Sequence, residues 1–236
     1  MASFKSSLIW RIENNHYSPA YAEVIDLPKD ELCVRPLTRF ALEDRLVYES
    51  CLLAIAPIVD AVIPKEVCSY RWSKFKGRLH SPKGRWVLMQ GRARKIHKKA
   101  PESLLLRTDI SAFYEYIDWS KLHDQLRQLS PPAWALDLLD VFLTEFNNSS
   151  HAWGLPQGPD ASGVLANLYL LPLDKLLLSN KLQHLRYPDD FDGIRIDLDR
   201  AKRYPYPDKP YMPKSASHAV VHKDKNRSCL RRANGV

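Results

Sequence analysis

Three aspartates in this sequence have the types and the order that phosphate chemistry needs. Asp109 closes the apolar run Leu104-Leu105-Leu106, and Asp189 and Asp190 stand side by side behind Tyr187 and Pro188. Between them lies the turn Gly154-Leu155-Pro156-Gln157-Gly158. Carboxylates that converge on one point hold a hard cation such as Mg²⁺, which takes oxygen ligands. Two such ions activate an attacking hydroxyl and stabilise a leaving pyrophosphate, which is the chemistry of joining a nucleotide to a strand. A strand end at Asp109 also offers the main-chain carbonyl of Ile110. Taken singly, Asp109 reads equally as the cap of a turn before a helix, and two adjacent acids as a solvated turn.

The elements that must position these groups can be read from periodicity. Residues 103–108 read as a short buried strand ending at Asp109. Asp118-Trp119-Ser120 introduces a helix through Leu122, Leu126 and Leu129 that Pro131-Pro132 stops. A second amphipathic helix spans 133–146, and 147–150 is a loop. After the glycine turn, 162–179 reads as one long apolar helix bent or restarted at Pro172. Residues 182–187 form a candidate strand leading into Asp189 and Asp190, and 194–198 alternate like another. Upstream, 42–62 is helical, with Leu46, Val47, Ser50, Leu53 and Ala54 on one face, and Pro57 leaves room for two shorter helices. Residues 1–36 read as a loosely organised segment.

Charge is concentrated in one place. The chain carries 35 Lys and Arg against 27 Asp and Glu, yet residues 71–99 hold eleven of those cations and no acid. Trp72, Phe75 and Trp86 interleave with the cations and supply stacking surfaces beside phosphate-seeking charge. A solvated basic loop is the plain alternative; the aromatic interleaving favours nucleic acid as the partner, through Lys74, Lys76, Arg78, Arg85, Arg92 and Arg94. Within this segment Ser81-Pro82-Lys83-Gly84 reads as a turn joining two short strands. The four cysteines form no C-x-x-C pair, which suits reduced thiols in a cytoplasmic protein. The apolar stretches at 51–63 and 164–178 are too short or too interrupted to span a bilayer, so no membrane is expected.

With these motifs in view, the sequence resembles the reverse transcriptase family over about 35–203. Arg107-Thr108-Asp109-Ile110-Ser111-Ala112-Phe113-Tyr114-Glu115-Tyr116-Ile117-Asp118 is similar to that family's first catalytic motif. The Gly-Leu-Pro-Gln-Gly turn, followed by Ser162, Leu165, Ala166, Asn167, Tyr169, Leu170 and Asp174, matches the second and is the most specific signal in the chain. Arg186-Tyr187-Pro188-Asp189-Asp190-Phe191 is similar to the third. Arg35-Pro36-Leu37, Asp44-Arg45 and Ser69-Tyr70-Arg71 resemble finger motifs of bacterial, intron-like members. Two phrases, Phe113-Tyr114-Glu115-Tyr116-Ile117-Asp118 and Gly158-Pro159-Asp160-Ala161-Ser162, look most like stand-alone enzymes of antiviral defence and abortive infection.

The resemblance implies an α+β fold, the fingers and palm of a right-hand polymerase, with an antiparallel palm sheet packed by helices. It divides the chain into an N-terminal segment (1–34), fingers with the basic region (35–102), a palm (103–203) and a disordered tail (204–236). It implies RNA-directed DNA polymerase activity with two Mg²⁺ ions, Mn²⁺ being the alternative. Asp109, Asp189 and Asp190, with the Ile110 carbonyl, would hold the metals. Arg71 would reach the triphosphate. Tyr114 would exclude a ribose 2′-hydroxyl, and Gln157 and Gly158 would contact nucleotide and template; apart from the resemblance, Tyr114 reads equally as a core aromatic. The implied partners are an RNA template, a DNA or RNA primer, deoxynucleoside triphosphates, and a protein or RNA partner in a defence system.

Two departures cut against activity. Members usually carry a small or apolar residue at the place of Pro188, in a hairpin whose backbone typically needs φ above zero. Proline fixes φ near −65°, so the expectation is a turn that tilts both carboxylates away, and about 1 Å of displacement costs on the order of a hundredfold in rate. Beyond Asp190, Ala201-Lys202-Arg203 fits the family's next helix and Asp224-Lys225-Asn226 falls near its lysine motif. Four prolines within 205–213 fit nothing, and no thumb follows. The expectation is a frameshifted or truncated gene, and the alternative function is an inactive fingers-palm remnant that binds nucleic acid or an intact polymerase.

Overall fold

The computed structural model describes residues 2–28, 34–99, 104–149, 153–196 and 220–222. Helix α1 (Ala2–Glu13) leads into a hairpin of β1 (Glu23–Pro28) and β2 (Val34–Arg39). The long helix α2 (Leu42–Val62) is followed by a small hairpin, β3 (Trp72–Ser73) and β4 (Arg78–Leu79), and by α3 (Pro82–Lys99). Strand β5 (Leu104–Thr108) and a 3₁₀ turn (Phe113–Tyr116) precede α4 (Trp119–Gln128) and α5 (Ala133–Ser149). Helices α6 (Asp160–Tyr169) and α7 (Leu171–Ser179) then lead to β6 (Gln183–Tyr187), β7 (Asp190–Ile196) and β8 (Val220–His222).

The fold is α+β. Its larger sheet is antiparallel throughout, in the order β6-β7-β5-β8. Two pairings in it fix where the acidic residues lie. Tyr187 faces Asp190 across the β6–β7 hairpin, and Thr108 faces Phe191 across β5–β7. The residue after Thr108 therefore lies beside the hairpin tip.

Helices α2, α4, α5 and α6 build the main core around Tyr48, Ile55, Leu122, Leu126, Leu139, Phe142 and Leu165, all 2% exposed or less. Tyr48 stacks on Phe142 with ring centroids 4.8 Å apart, and its hydroxyl meets Ser162 Oγ at 2.8 Å. That bond lets a polar ring end in an apolar interior without an unsatisfied group. Asp118 caps α4 by accepting from Ser120 N (3.0 Å) and Lys121 N (3.4 Å).

Several expectations need correction. Residues 2–28 and 34–39 are not loosely organised: they form α1 and the β1–β2 hairpin, and Tyr17 donates to the buried Asp44 carboxylate at 2.7 Å. Helix α2 runs unbroken through Pro57. The carbonyl that Pro57 leaves without a helical donor belongs to Leu53, whose side chain is 51% exposed, so it lies on the side where water can satisfy it. The buried face of α2 is Val47, Tyr48, Cys51, Leu52, Ile55 and Val59, while Leu46 and Leu53 point outward. Ser81-Pro82-Lys83-Gly84 is not a hairpin turn but the start of α3, with Ser81 Oγ accepting from Gly84 N at 3.2 Å and Pro82 at the first helical position, where no N–H is required. Helix α5 continues through Asn147. The expected bend or restart at Pro172 is borne out: α6 and α7 meet at 45°, with Pro172 in the first turn of α7.

Among the described residues no single helix is long and apolar enough to cross a membrane. In the segment expected to be disordered, Val220–His222 pairs with β5 as the sheet's edge strand. The expected helix start at Ala201, the four prolines and Asp224-Lys225-Asn226 lie outside the described residues.

Candidate active site

The register of the sheet assembles one cavity of about 680 Å³ whose wall includes Asp109, Ile110, Asp189 and Asp190. Tyr114, Gln157 and Gly158 line the same space. Each arrives by a separate local device. After Asp109 the chain reverses at Ala112, which adopts φ +50°, and the 3₁₀ turn that follows buries Phe113 while leaving Tyr114 on the wall. The glycine turn is strapped beneath it: Leu155 N donates to Tyr114 O at 2.9 Å. A Cβ on Gly154 would lie 2.1 Å from that same oxygen, so only glycine fits. Asn147 brackets Gly154, accepting from its N–H at 2.8 Å and donating to its carbonyl at 3.2 Å. Gln157 is anchored through its main chain, whose carbonyl accepts from Thr38 N at 2.8 Å.

The Tyr187-Pro188-Asp189-Asp190 turn closes without any residue at positive φ. The expected conflict between proline and a positive-φ turn is therefore absent, because this hairpin uses a conformation that suits φ near −65°. A buried polar network holds it from below. Arg186, 0% exposed, donates Nε and Nη2 to the Asp174 carboxylate at 3.0 and 2.5 Å. Its Nη1 donates to Asn167 Oδ1 at 2.9 Å and to the carbonyl of Pro188. His184 Nε2 meets the other side of the network at Asp174 Oδ1, 3.1 Å away. Burial pushes the Asp174 carboxyl up, but hydrogen bonds from His184 and Arg186 and their charge outweigh it and leave it below the usual carboxylate range. On the open side, Tyr187 donates to Pro82 O at 3.0 Å and Trp86 packs edge-on against its ring.

The donor chemistry of the wall, the carboxylates of Asp109, Glu115, Asp189 and Asp190 beside the main chain of Ile110, is that of a hard divalent cation. The side chains share the cavity without closing on one point: among the described residues, no three His, Cys, Asp or Glu side chains come near enough together to hold an ion.

Other expected site residues lie elsewhere. Arg71 is not at the cavity. Its Nε donates to Asp60 Oδ1 at 2.5 Å, and its remaining nitrogens cap the end of α2 through the carbonyls of Ile63 and Pro64 (3.1 and 2.6 Å) and that of Val67. A guanidinium with five donors suits that role. Arg85 donates to Cys68 O at 2.6 Å and Arg92 to Lys65 O at 2.5 Å, so both are committed to backbone. Lys74, Lys76, Arg78 and Arg94 are exposed. Of the three interleaved aromatics only Phe75, 97% exposed, stands free of the fold; Trp72 packs against the core and Trp86 lines the cavity.

The cavity also contains residues to which sequence reasoning gave no role. Among the described residues Arg35 is the one Lys or Arg that lines it, and Tyr70 lines it together with Tyr114. The buried Arg186–Asp174 pair left one signal in the sequence: Asp174 interrupts the apolar stretch from Leu168 to Leu178, and charged residues are rarely buried unless paired. The family model described as reverse transcriptase (RNA-dependent DNA polymerase) matches residues 28–192, a span that holds every lining residue of the cavity. No curated protein matches the chain.

Proposed function

The chain belongs to the reverse transcriptase family, and we propose from this that its cavity is an RNA-directed DNA polymerase site. The observation that carries the reading is the strand register: Thr108 opposite Phe191 and Tyr187 opposite Asp190 bring Asp109, Asp189 and Asp190 to one cavity with Tyr114 and Gln157. In this reading Asp109, Asp189, Asp190 and the Ile110 carbonyl would hold Mg²⁺ once the side chains, which share the cavity but do not meet at one point, close on the ion. Divalent ions bound there supply the positive charge that an attacking 3′-hydroxyl and a leaving pyrophosphate need.

The remaining roles belong to the chain itself. Arg35, rather than Arg71, meets the triphosphate, because it is the lining cation and a guanidinium pairs two phosphate oxygens at once. Tyr114 presents an aromatic edge to the sugar, and the Gln157-Gly158 main chain approaches the base pair closely. Gly158 at φ +122° permits that path. Lys74, Lys76, Arg78 and Arg94 attract strand phosphates while Phe75 offers a stacking face. The motifs that resemble stand-alone defence enzymes extend the proposal to an antiviral setting, tested by whether expression protects bacteria from phage.

A second reading, a nucleic-acid-binding remnant without catalysis, is favoured by the carboxylates' failure to converge. Primer extension on an RNA template with Mg²⁺ separates the two. Extension by the unaltered chain that disappears in Asp189→Ala plus Asp190→Ala establishes the polymerase. No extension, with salt-sensitive RNA binding intact, establishes the remnant.

A further inference from the structure

A second cavity, of about 460 Å³, shares no lining residue with the proposed polymerase site. It is bounded by the start of β6, the C-terminal half of α3, the loop after α2 and the end of α7. Among the described residues four cations line it, Lys65, Arg92, Lys95 and Lys181, against one acid, Glu66. Arg92 is spent as a strut, donating to Lys65 O at 2.5 Å and so tying α3 to the loop after α2. The three lysines are exposed, and among the described residues none of their ammonium groups pairs with an acid. Like charges gathered around one hollow repel one another, and a multivalent anion entering it relieves that repulsion.

Lys181 is the most specific sign. It follows α7 at φ +58°. Its N–H donates to Leu178 O at 2.9 Å, and Leu182 N donates to Leu177 O at 2.9 Å. Helices that end in a left-handed residue usually place glycine or asparagine there. A lysine kept in that conformation on a cavity wall marks a side chain whose place matters. Much of the remaining wall is apolar, formed by Ile96, Leu178, Leu182 and Leu185. Ile96 and Leu185 belong to one cluster with Met89 and Cys68, so the packing of α3 on β6 fixes that part of the wall.

We propose that this cavity binds a nucleoside polyphosphate, its phosphates on Lys65, Lys95 and Lys181 and its base or sugar against the apolar wall. An ammonium group meets phosphate as a point charge, and three of them match a di- or triphosphate better than a singly charged carboxylate. The volume falls within the roughly 300–1,000 Å³ of small-molecule sites. The same chemistry has two sources, a free nucleotide and the 5′-triphosphate end of an RNA. The inference is independent of the polymerase reading.

The test titrates N-methylanthraniloyl-ATP against the full chain carrying Arg35→Ala, with EDTA present, so that the polymerase cavity has neither its lining cation nor a metal. Lys65→Ala and Lys95→Ala should each raise the Kd about three- to tenfold, the scale of a charged contact at a site open to water. Lys181→Gly should weaken binding as much while raising the melting temperature, because glycine relieves the positive φ. Leu178→Glu, at a partly exposed position, brings a carboxylate to the wall and should abolish binding. Lys121→Ala on α4, which does not line the cavity, should change nothing. Displacement of the probe by ATP and not by a 5′-triphosphate RNA supports a free nucleotide; displacement by that RNA at lower concentration than ATP assigns the site to an RNA end. Equal displacement by a 5′-hydroxyl RNA overturns the proposal, as does absence of binding or binding indifferent to the three lysines. None of these readings measures extension, so failure here and failure of the polymerase reading are separate results.

Discussion

Arg186 reaches from the interior to the carbonyl of Pro188, the residue immediately before the two hairpin aspartates. Its charge is balanced by Asp174 on α7, itself 0% exposed. The turn is therefore attached to the helical layer and not only to its own strand partners. Removing one member of such a pair leaves a buried charge uncompensated, at a cost of about 3–5 kcal/mol. Asp174→Asn is expected to lose that amount in urea unfolding and to release the hairpin. A loss under about 1 kcal/mol, the scale of an exposed ion pair, would show that the pair does not hold the turn.

The same carboxylate gives the protein an acid limb. Its folded pKa is depressed, below an unfolded value of about 3.9. The unfolded chain thus binds the proton more tightly. Its contribution is complete above the unfolded pKa and is lost as pH falls through the folded one. Stability measured below about pH 4 should fall more steeply in the unaltered chain than in Asp174→Asn.

Pro188 is compatible with the turn it occupies, since the hairpin contains no positive φ. Replacing it should therefore give no gain in extension. Because a proline that fits its site restricts the unfolded chain, Pro188→Ala should cost about 0.4–1 kcal/mol. A large increase in extension rate by Pro188→Ala would instead show that the ring does tilt the carboxylates.

The motifs exposed the site because three carboxylates, a glycine turn and an aromatic have few other reasons to occur in that order. The sequence also disclosed the α4 cap, because Asp118 acts through residues two and three positions on. It did not disclose Arg71's destination. A guanidinium pairs as readily with Asp60 and helix-end carbonyls as with phosphate, and only the three-dimensional path of α2 decides between them. Ser81-Pro82 is ambiguous in sequence for a related reason: the same dipeptide begins turns and helices, and the 18-residue helix behind it has a single buried residue, Met89. With so few apolar positions, its periodicity carries almost no signal.

The two arginines should separate cleanly in experiment. Arg71→Ala removes charged hydrogen bonds at the end of α2 and should cost about 1.5–3 kcal/mol in stability. Arg35→Ala removes the lining cation and should raise the KM for deoxynucleotides roughly tenfold or more, the scale of a charge-assisted contact, with little change in melting temperature. The opposite assignment, KM moving with Arg71 and stability with Arg35, would return the triphosphate role to Arg71.

The basic segment divides into committed and available cations, and salt dependence distinguishes them. Each phosphate contact on a single strand contributes about −0.7 to the slope of log K against log salt concentration. Lys74, Lys76, Arg78 and Arg94 are exposed, so replacing each with glutamine should flatten the slope of RNA binding by up to about 0.7. Arg92→Gln should leave the slope nearly unchanged and lower stability, because its guanidinium is spent on the carbonyl of Lys65. Phe75→Ala should weaken binding by about 1–3 kcal/mol at every salt concentration, since stacking releases no counterions. Filter binding across a salt series reads all three. A slope indifferent to the four exposed cations would place the nucleic acid on another surface, since their charge would then have no phosphate to neutralise.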